Sequence, residues 1–209
     1  MMRVNPSITV GLLLLFTSCI SEQSVTKKYY VISVQNDQAD LDTIGFETIL
    51  GSCEIEQVEI NPVYESNQIV NRSDSHEISY YKYHQWAVRP AVTIVELIKN
   101  YLDSNDIFQS VSTRYSRAIP DYRFGTYIHY IEVIESNDAF SAHIKIEFKI
   151  IENSTNQVLL KHEADRTETL STKDLNLFAR TLSNILLSEL KAFTIMIKEQ
   201  RSTFEREGE

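Results

Sequence analysis

Two cysteines and five histidines are the residues of this 209-residue chain best suited to chemistry, and their surroundings give them different tasks. Cys19 closes the run Val10-Gly11-Leu12-Leu13-Leu14-Leu15-Phe16-Thr17-Ser18 behind a cationic Arg3. That is the anatomy of a secretory signal, and cleavage before Cys19 would expose an N-terminal cysteine for acylation. The apolar stretch is too short to span a bilayer. Cys53, in Gly51-Ser52-Cys53-Glu54-Ile55, has no base near it in sequence, and acidic neighbours would raise the pKa of its thiol. It suits a small buried or strand-edge position better than a nucleophile, and with Cys19 assigned to lipid it has no partner for an internal disulfide. His76, His84, His129, His143 and His162 are dispersed, without the spacing of metal ligands. His76 falls in a turn, His143 on the solvent face of a strand, and His162 reads as an inward, hydrogen-bonded core residue. No phosphate-cradling glycine loop, nucleophile elbow or Ser, His and Asp set in recognisable context occurs, so neither metal, cofactor nor catalytic group is expected.

Leu15-Phe16-Thr17-Ser18-Cys19 resembles the bacterial lipobox, with Phe16 where Leu is usual and Ser18 where Gly or Ala is commoner. The alternative is an uncleaved anchor or an ordinary signal peptide with a coincidental cysteine. On the first reading residues 1–18 are a signal peptide, 19–28 a lipidated polar tether, 29–200 one domain and 201–209 a charged tail. Cleavage leaves about 190 residues, enough for one domain with a proper core. A formal charge of −9 with scattered lysines and arginines gives nothing to attract nucleic acid or an anionic membrane surface. Hydrophobic residues at 43% argue for a globular fold, while five glycines and four prolines exclude collagenous or low-complexity architecture.

The elements that must position these residues follow from periodicity. Tyr29 to Val34 is aromatic and β-branched and predicts a first strand, followed by a polar loop from Gln35 to Asp42. Glu54 to Ile60 alternates and stops before Pro62, a second strand. Asn67–Arg72 and Glu77–Tyr81 flank a turn at Ser73-Asp74-Ser75-His76 and predict a hairpin. Pro90 suits the first turn of a helix whose stripe is Ile94, Leu97, Ile98, Tyr101 and Leu102, ending near Ser104-Asn105-Asp106, with a short strand at Ile107–Val111. From Phe124 to Ile134 both faces are apolar, Phe124, Ile128, Tyr130 and Ile134 on one and Tyr127, Ile131 and Val133 on the other, as in a strand buried on both sides. Ala142, Ile144, Ile146, Phe148 and Ile150 alternate with His143, Lys145, Glu147 and Lys149, a strand with one wet face, and Gln157–Ala164 is its antiparallel partner across Glu152–Asn156. Ser171-Thr172-Lys173-Asp174 reads as a capping box for a last helix with the stripe Leu175, Phe178, Leu182, Ile185, Leu186, Phe193 and Ile197. Interleaved strands and helices predict one α/β domain, a mixed sheet of about five strands with at least two packed helices.

The segment Tyr83-His84-Gln85-Trp86-Ala87-Val88-Arg89-Pro90 carries the single tryptophan directly before the first helix. Together with the lipobox, the Tyr-Tyr strand, the strand ending at Pro62 and Ile107-Phe108-Gln109-Ser110-Val111, it resembles the ABC-type transport auxiliary lipoproteins, the PqiC-like partners of MCE-domain lipid transport systems. The resemblance runs from Tyr29 to about Lys198, with Trp86, Ala87 and Pro90 its most specific points; Arg89 stands where the family more often has a less polar residue. It implies a non-enzymatic lipoprotein acylated at Cys19, held at the periplasmic face of the outer membrane and docked on an MCE-domain protein, with Trp86 and Arg89 as the partner-binding residues. Trp86 also fits a plain core or helix-entry residue. Ile20 stands where an inner-membrane retention signal would have Asp, and the family further suggests a ring of identical subunits. Two other readings stand beside it: a lipoprotein of lipopolysaccharide assembly, and a periplasmic hydrolase using Cys53 or His162.

Overall fold

The computed structural model describes residues 26–33, 49–114, 119–136 and 139–200. The signal peptide, Cys19, the start of the tether, the loop at Gln35 and the charged tail lie outside these residues. The described chain is a single α/β domain with two helices on one mixed sheet.

The strands are β1 (Lys28–Tyr30), β2 (Ile49–Ile55), β3 (Glu59–Ile60), β4 (Gln68–Asp74), β5 (Glu77–Trp86), β6 (Phe108–Ser112), β7 (Tyr122–Glu135), β8 (Phe140–Glu152) and β9 (Val158–Thr169). The helices are α1 (Pro90–Ser104) and α2 (Leu175–Glu199). Nine strands replace the expected five or so, because every segment with strand character joins the one sheet and one of them is divided in two. The expected second strand is in fact two, β2 and β3, broken at Glu56–Val58, and the chain then enters a 3-10 turn at Pro62–Tyr64. Asn61 caps that turn by accepting from the Val63 N–H at 3.1 Å.

β7 is the axis of the sheet. Along one edge it pairs antiparallel with β8 over its whole length, and β9 follows antiparallel on β8. Its other edge is occupied in turn by β2 at Tyr122–Phe124, β3 at Tyr127–Ile128 and β4 at Glu132–Ile134, all parallel to it. β6 adds to β2, while β5 and then β1 add to β4. Beyond β7 the sheet therefore forks into a β2–β6 branch and a β4–β5–β1 branch.

A register shift between Ile128 and Tyr130 corrects the expected face assignment of β7. One extra residue reverses which side every later side chain takes. Phe124 and Ile128 share the core face with Ile131 and Val133, whose β8 partners Ile144 and Ala142 line the same side as Ile146. Tyr130 and Ile134 fall on the opposite face together with Glu132. Apolar residues in both phases of the sequence thus reflect a phase change as much as burial on two sides.

The helices share the core face and touch through Tyr101 Oη and Thr194 Oγ1 at 3.3 Å. All five stripe residues of α1 and all seven of α2 are buried. Rings from β7, β8 and α2 converge in Phe124, Phe148 and Phe193, with centroids 5.6 to 5.7 Å apart. Pro90 opens α1 as expected. At α2 the cap is Asp174 and not Ser171: its Oδ1 accepts from the Asn176 N–H at 2.8 Å.

Candidate functional site

Trp86 ends β5, where it pairs with Tyr30 of β1 and donates its backbone N–H to Asn67 O at 2.7 Å. Its side chain is 2% exposed and packs on Phe178 of α2, centroids 5.8 Å apart. Three residues on, Arg89 is exposed at the N-cap of α1, and its carbonyl accepts from Val92 and Thr93. The two residues are neighbours in sequence with different surroundings: the indole faces the core, the guanidinium faces solvent.

Arg89 lines a groove of about 450 Å³ between α1 and the β2–β3 break, where the sheet forks. The fork leaves room because β3 is only two residues long and the segment between β2 and β3 makes no ladder. Ile55, Val58, Ile60 and Val95 give the groove apolar walls, and Arg89, Arg114, Glu65 and Glu96 set charges of both signs around them. Such a lining, apolar with a few convergent charges, can hold a protein segment or an amphipathic ligand.

A second constellation lies on the helix-free face. Glu132 is fully buried, although the sequence offers it only as a carboxylate inside the apolar run Tyr130-Ile131-Glu132-Val133-Ile134. Tyr64 donates its hydroxyl to Glu132 Oε2 at 2.6 Å, and Arg72 reaches Oε1 and Oε2 at 2.7 and 3.0 Å. His143 places Nδ1 3.1 Å from Glu132 Oε1 and Nε2 3.0 Å from Asp165 Oδ1. Tyr130 roofs the set, stacked on His143 at 5.4 Å with the Arg72 guanidinium 5.8 Å from its centroid. Burial alone would raise the Glu132 pKa; the hydrogen bonds from His143, Arg72 and Tyr64 outweigh it and bring the carboxyl down to about 2. For His143 burial opposes the charged form, but Glu132 and Asp165 prevail and raise its pKa. Both Glu132 oxygens are occupied by donors of the chain itself, so this carboxylate braces the join of β4, β7 and β8. Sequence reading placed His143 on the right face without its partners, and missed Tyr64, Arg72 and Glu132; the lone acid in an apolar strand was the available signal.

Cys53 is buried on β2, and burial first, then the Glu54 and Glu56 carboxylates, push its thiol far above the usual range. His162 points inward as expected: Nε2 lies 2.8 Å from Glu189 Oε2, and the ring stacks near Phe148 and Phe193. Among the described residues no cluster of three or more His, Cys, Asp or Glu is arranged to hold a metal ion, and no helix is long and apolar enough to cross a membrane.

Fold and groove together define a single-domain α/β protein with a groove of mixed apolar and charged lining beside α1. The chain belongs to the ABC-type transport auxiliary lipoprotein component family, whose model matches residues 29–191. Membership makes it a lipoprotein of the kind that serves ABC-type transport as an auxiliary component. Among solved structures it is similar to protein XCC0632 from Xanthomonas campestris, at 14% identity and a TM-score of 0.68, over 87% of this chain and 99% of that one. An uncharacterized protein is similar at 13% identity and a TM-score of 0.64, over 82% and 99% of the two chains. At these identities the likeness is one of fold. A comparison with curated proteins finds no match.

Proposed function

We propose that this protein is a non-enzymatic docking subunit of an MCE-type ABC lipid transport system, anchored through lipid on Cys19 at the periplasmic face of the outer membrane. The observation that carries the reading is the family match across nearly the whole domain, directly downstream of the lipobox cysteine. Arg89, exposed on the wall of the α1 groove, is the charged residue of the Trp86–Pro90 segment that a partner can touch. Trp86 contributes from behind, by fixing β5 and the entry to α1 against Phe178. Identical copies are expected to close into a ring through heterologous contacts.

Affinity purification of the lipidated protein from native membranes tests this. An MCE-domain protein should co-purify with the wild type and be depleted for Arg89→Glu, with the variant equally abundant in the outer-membrane fraction. Recovery of a lipopolysaccharide-assembly barrel protein in its place, or of no transport protein, would overturn the proposal.

A further inference from the structure

The described chain begins at the end of the tether, and the first structured segment combines two opposed properties. It is firmly held on one side. Tyr30 O accepts from the Ala87 N–H at 2.8 Å, Ile32 is buried in the core, and the Ser33 N–H donates to Ser183 Oγ of α2 at 3.2 Å. On the other side it presents apolar and cationic groups to solvent: Tyr29 is 60% exposed, Val31 56%, and Lys27 is exposed in the same alternating phase. Strand propensity favours aromatic and β-branched residues; here two of them share the outward face with a lysine and form one small apolar and cationic patch.

We infer that the outward face of the β1 edge, formed by Lys27, Tyr29 and Val31, lies against the bilayer that holds the Cys19 anchor. This rests on acylation of Cys19. The argument is first one of reach. At no more than about 3.6 Å per residue, the chain from Cys19 to Lys28 spans at most roughly 30 Å, so its place in the chain keeps β1 within reach of the headgroups. Charge narrows the choice of surface. The full chain carries a formal −9, which an anionic headgroup layer repels, whereas Thr26 to Ser33 contains two lysines and no acid. Chemistry completes it: tyrosine and a short apolar side chain beside lysine are suited to the interfacial zone, ring among the headgroups and ammonium on phosphate. The contact would set the orientation of the domain, which a single attachment point cannot do.

The test uses the lipidated mature protein carrying Val31→Cys or Val158→Cys, labelled with bimane and reconstituted in vesicles of phosphatidylethanolamine and phosphatidylglycerol containing a nitroxide-bearing phospholipid. Acylation blocks Cys19 and burial shields Cys53, so label goes to the introduced thiol. Val158 is a fair reference: it is 55% exposed and pairs through Ile151 with the Arg123 end of β7, whereas β1 joins through β5 and β4 at the Ile134 end. Quenching should be severalfold stronger at position 31 than at 158, and Lys27→Glu with Tyr29→Glu should abolish the difference while the protein still floats with the vesicles. Flotation with equal quenching at both positions overturns the inference and leaves the anchored reading intact. Failure to float overturns that reading and the inference with it. Protection of the position-31 label in detergent, without vesicles, assigns the face to a second copy and also overturns the inference.

Discussion

Tyr64 and Glu132 are joined at 2.6 Å, hydroxyl to carboxylate, across 68 residues of sequence. One sits in the 3-10 turn that follows β3, the other near the C-terminal end of β7, and both are almost completely buried. The bond fixes the chain as it crosses from the β2–β6 branch of the sheet to the β4–β5–β1 branch.

Removing this bond should be costly without being fatal. Hydrogen bonds to charged groups contribute about 1.5–3 kcal/mol, so Tyr64→Phe is expected to lower stability by that order. Glu132→Ala should cost about 3 kcal/mol or more, because Arg72 and His143 are left without the carboxylate they were placed around. Urea unfolding of the two variants, followed by far-UV circular dichroism, checks both the order and the size.

The same set makes stability depend on pH in two opposite windows. Glu132 has a depressed pKa in the folded state, so its contribution is present above the ordinary carboxylate value and is lost as pH falls from about 4.5 towards 2; the shift corresponds to about 3 kcal/mol. His143 has a raised pKa, so its contribution is full below the ordinary imidazole value and is lost as pH rises through the raised one. Maximum stability is expected in mildly acidic solution. In His143→Gln the alkaline decline should flatten while the acid limb persists, which thermal melts between pH 3 and 9 would show.

Cys53 should be inert. Its thiol is buried and held protonated, so Ellman's reagent should titrate it only after denaturation. Cys53→Ala should retain transport function in cells; loss of function with unchanged abundance and fold would restore the hydrolase reading.

Trp86 reports on the core directly, being the single tryptophan of the chain. Its native emission should be blue-shifted and poorly quenched by acrylamide, moving to the red on unfolding. Trp86→Ala is expected to cost about 3–5 kcal/mol; Trp86→Phe, which keeps a ring on Phe178, should cost clearly less.

Among the described residues, Gly51 is the one glycine whose backbone conformation disfavours side chains, at φ +114°. A Cβ there would also stand 3.0 Å from Tyr122 Cε2 and 3.1 Å from Asp121 Oδ2, the oxygen that accepts from Ser52 N–H at 2.7 Å. Gly51→Ala should therefore lower stability by about 1–3 kcal/mol, measured by the same urea titration, with Gly125→Ala as a comparison whose nearest obstacle is the flexible Lys149 side chain.

What the sequence disclosed, and what it withheld, divides by range. The α1 stripe from Ile94 to Leu102, the α2 stripe and the alternation of β8 are local patterns generated by one element facing one core, and each was legible. The phase change in β7 was not, since a register shift near His129 leaves no mark except apolar residues in both phases. Nor was the division of β2 from β3, which is set by where β7 can accept them. Of the candidate site, Arg89 was reached only through the family resemblance, as the residue before Pro90, and the groove beside it is made by the forking of a sheet whose strands lie far apart in sequence. The Glu132 set combines Tyr64, Arg72, Glu132, His143 and Asp165 from five separate elements, and no spacing rule links them.

The sharing of one edge of β7 by β2, β3 and β4 also dictates an order of events. Each of these strands forms its pairs with residues more than sixty positions later, so the N-terminal half of the domain has no template until the chain through Glu135 is available. Contacts of such separation are slow to form, and strands waiting for them are exposed to wrong partners. The domain should thus fold late and as a whole: a chain released before β7 is complete would hold the β4–β5 hairpin and the α1 helix with nothing to lay them on.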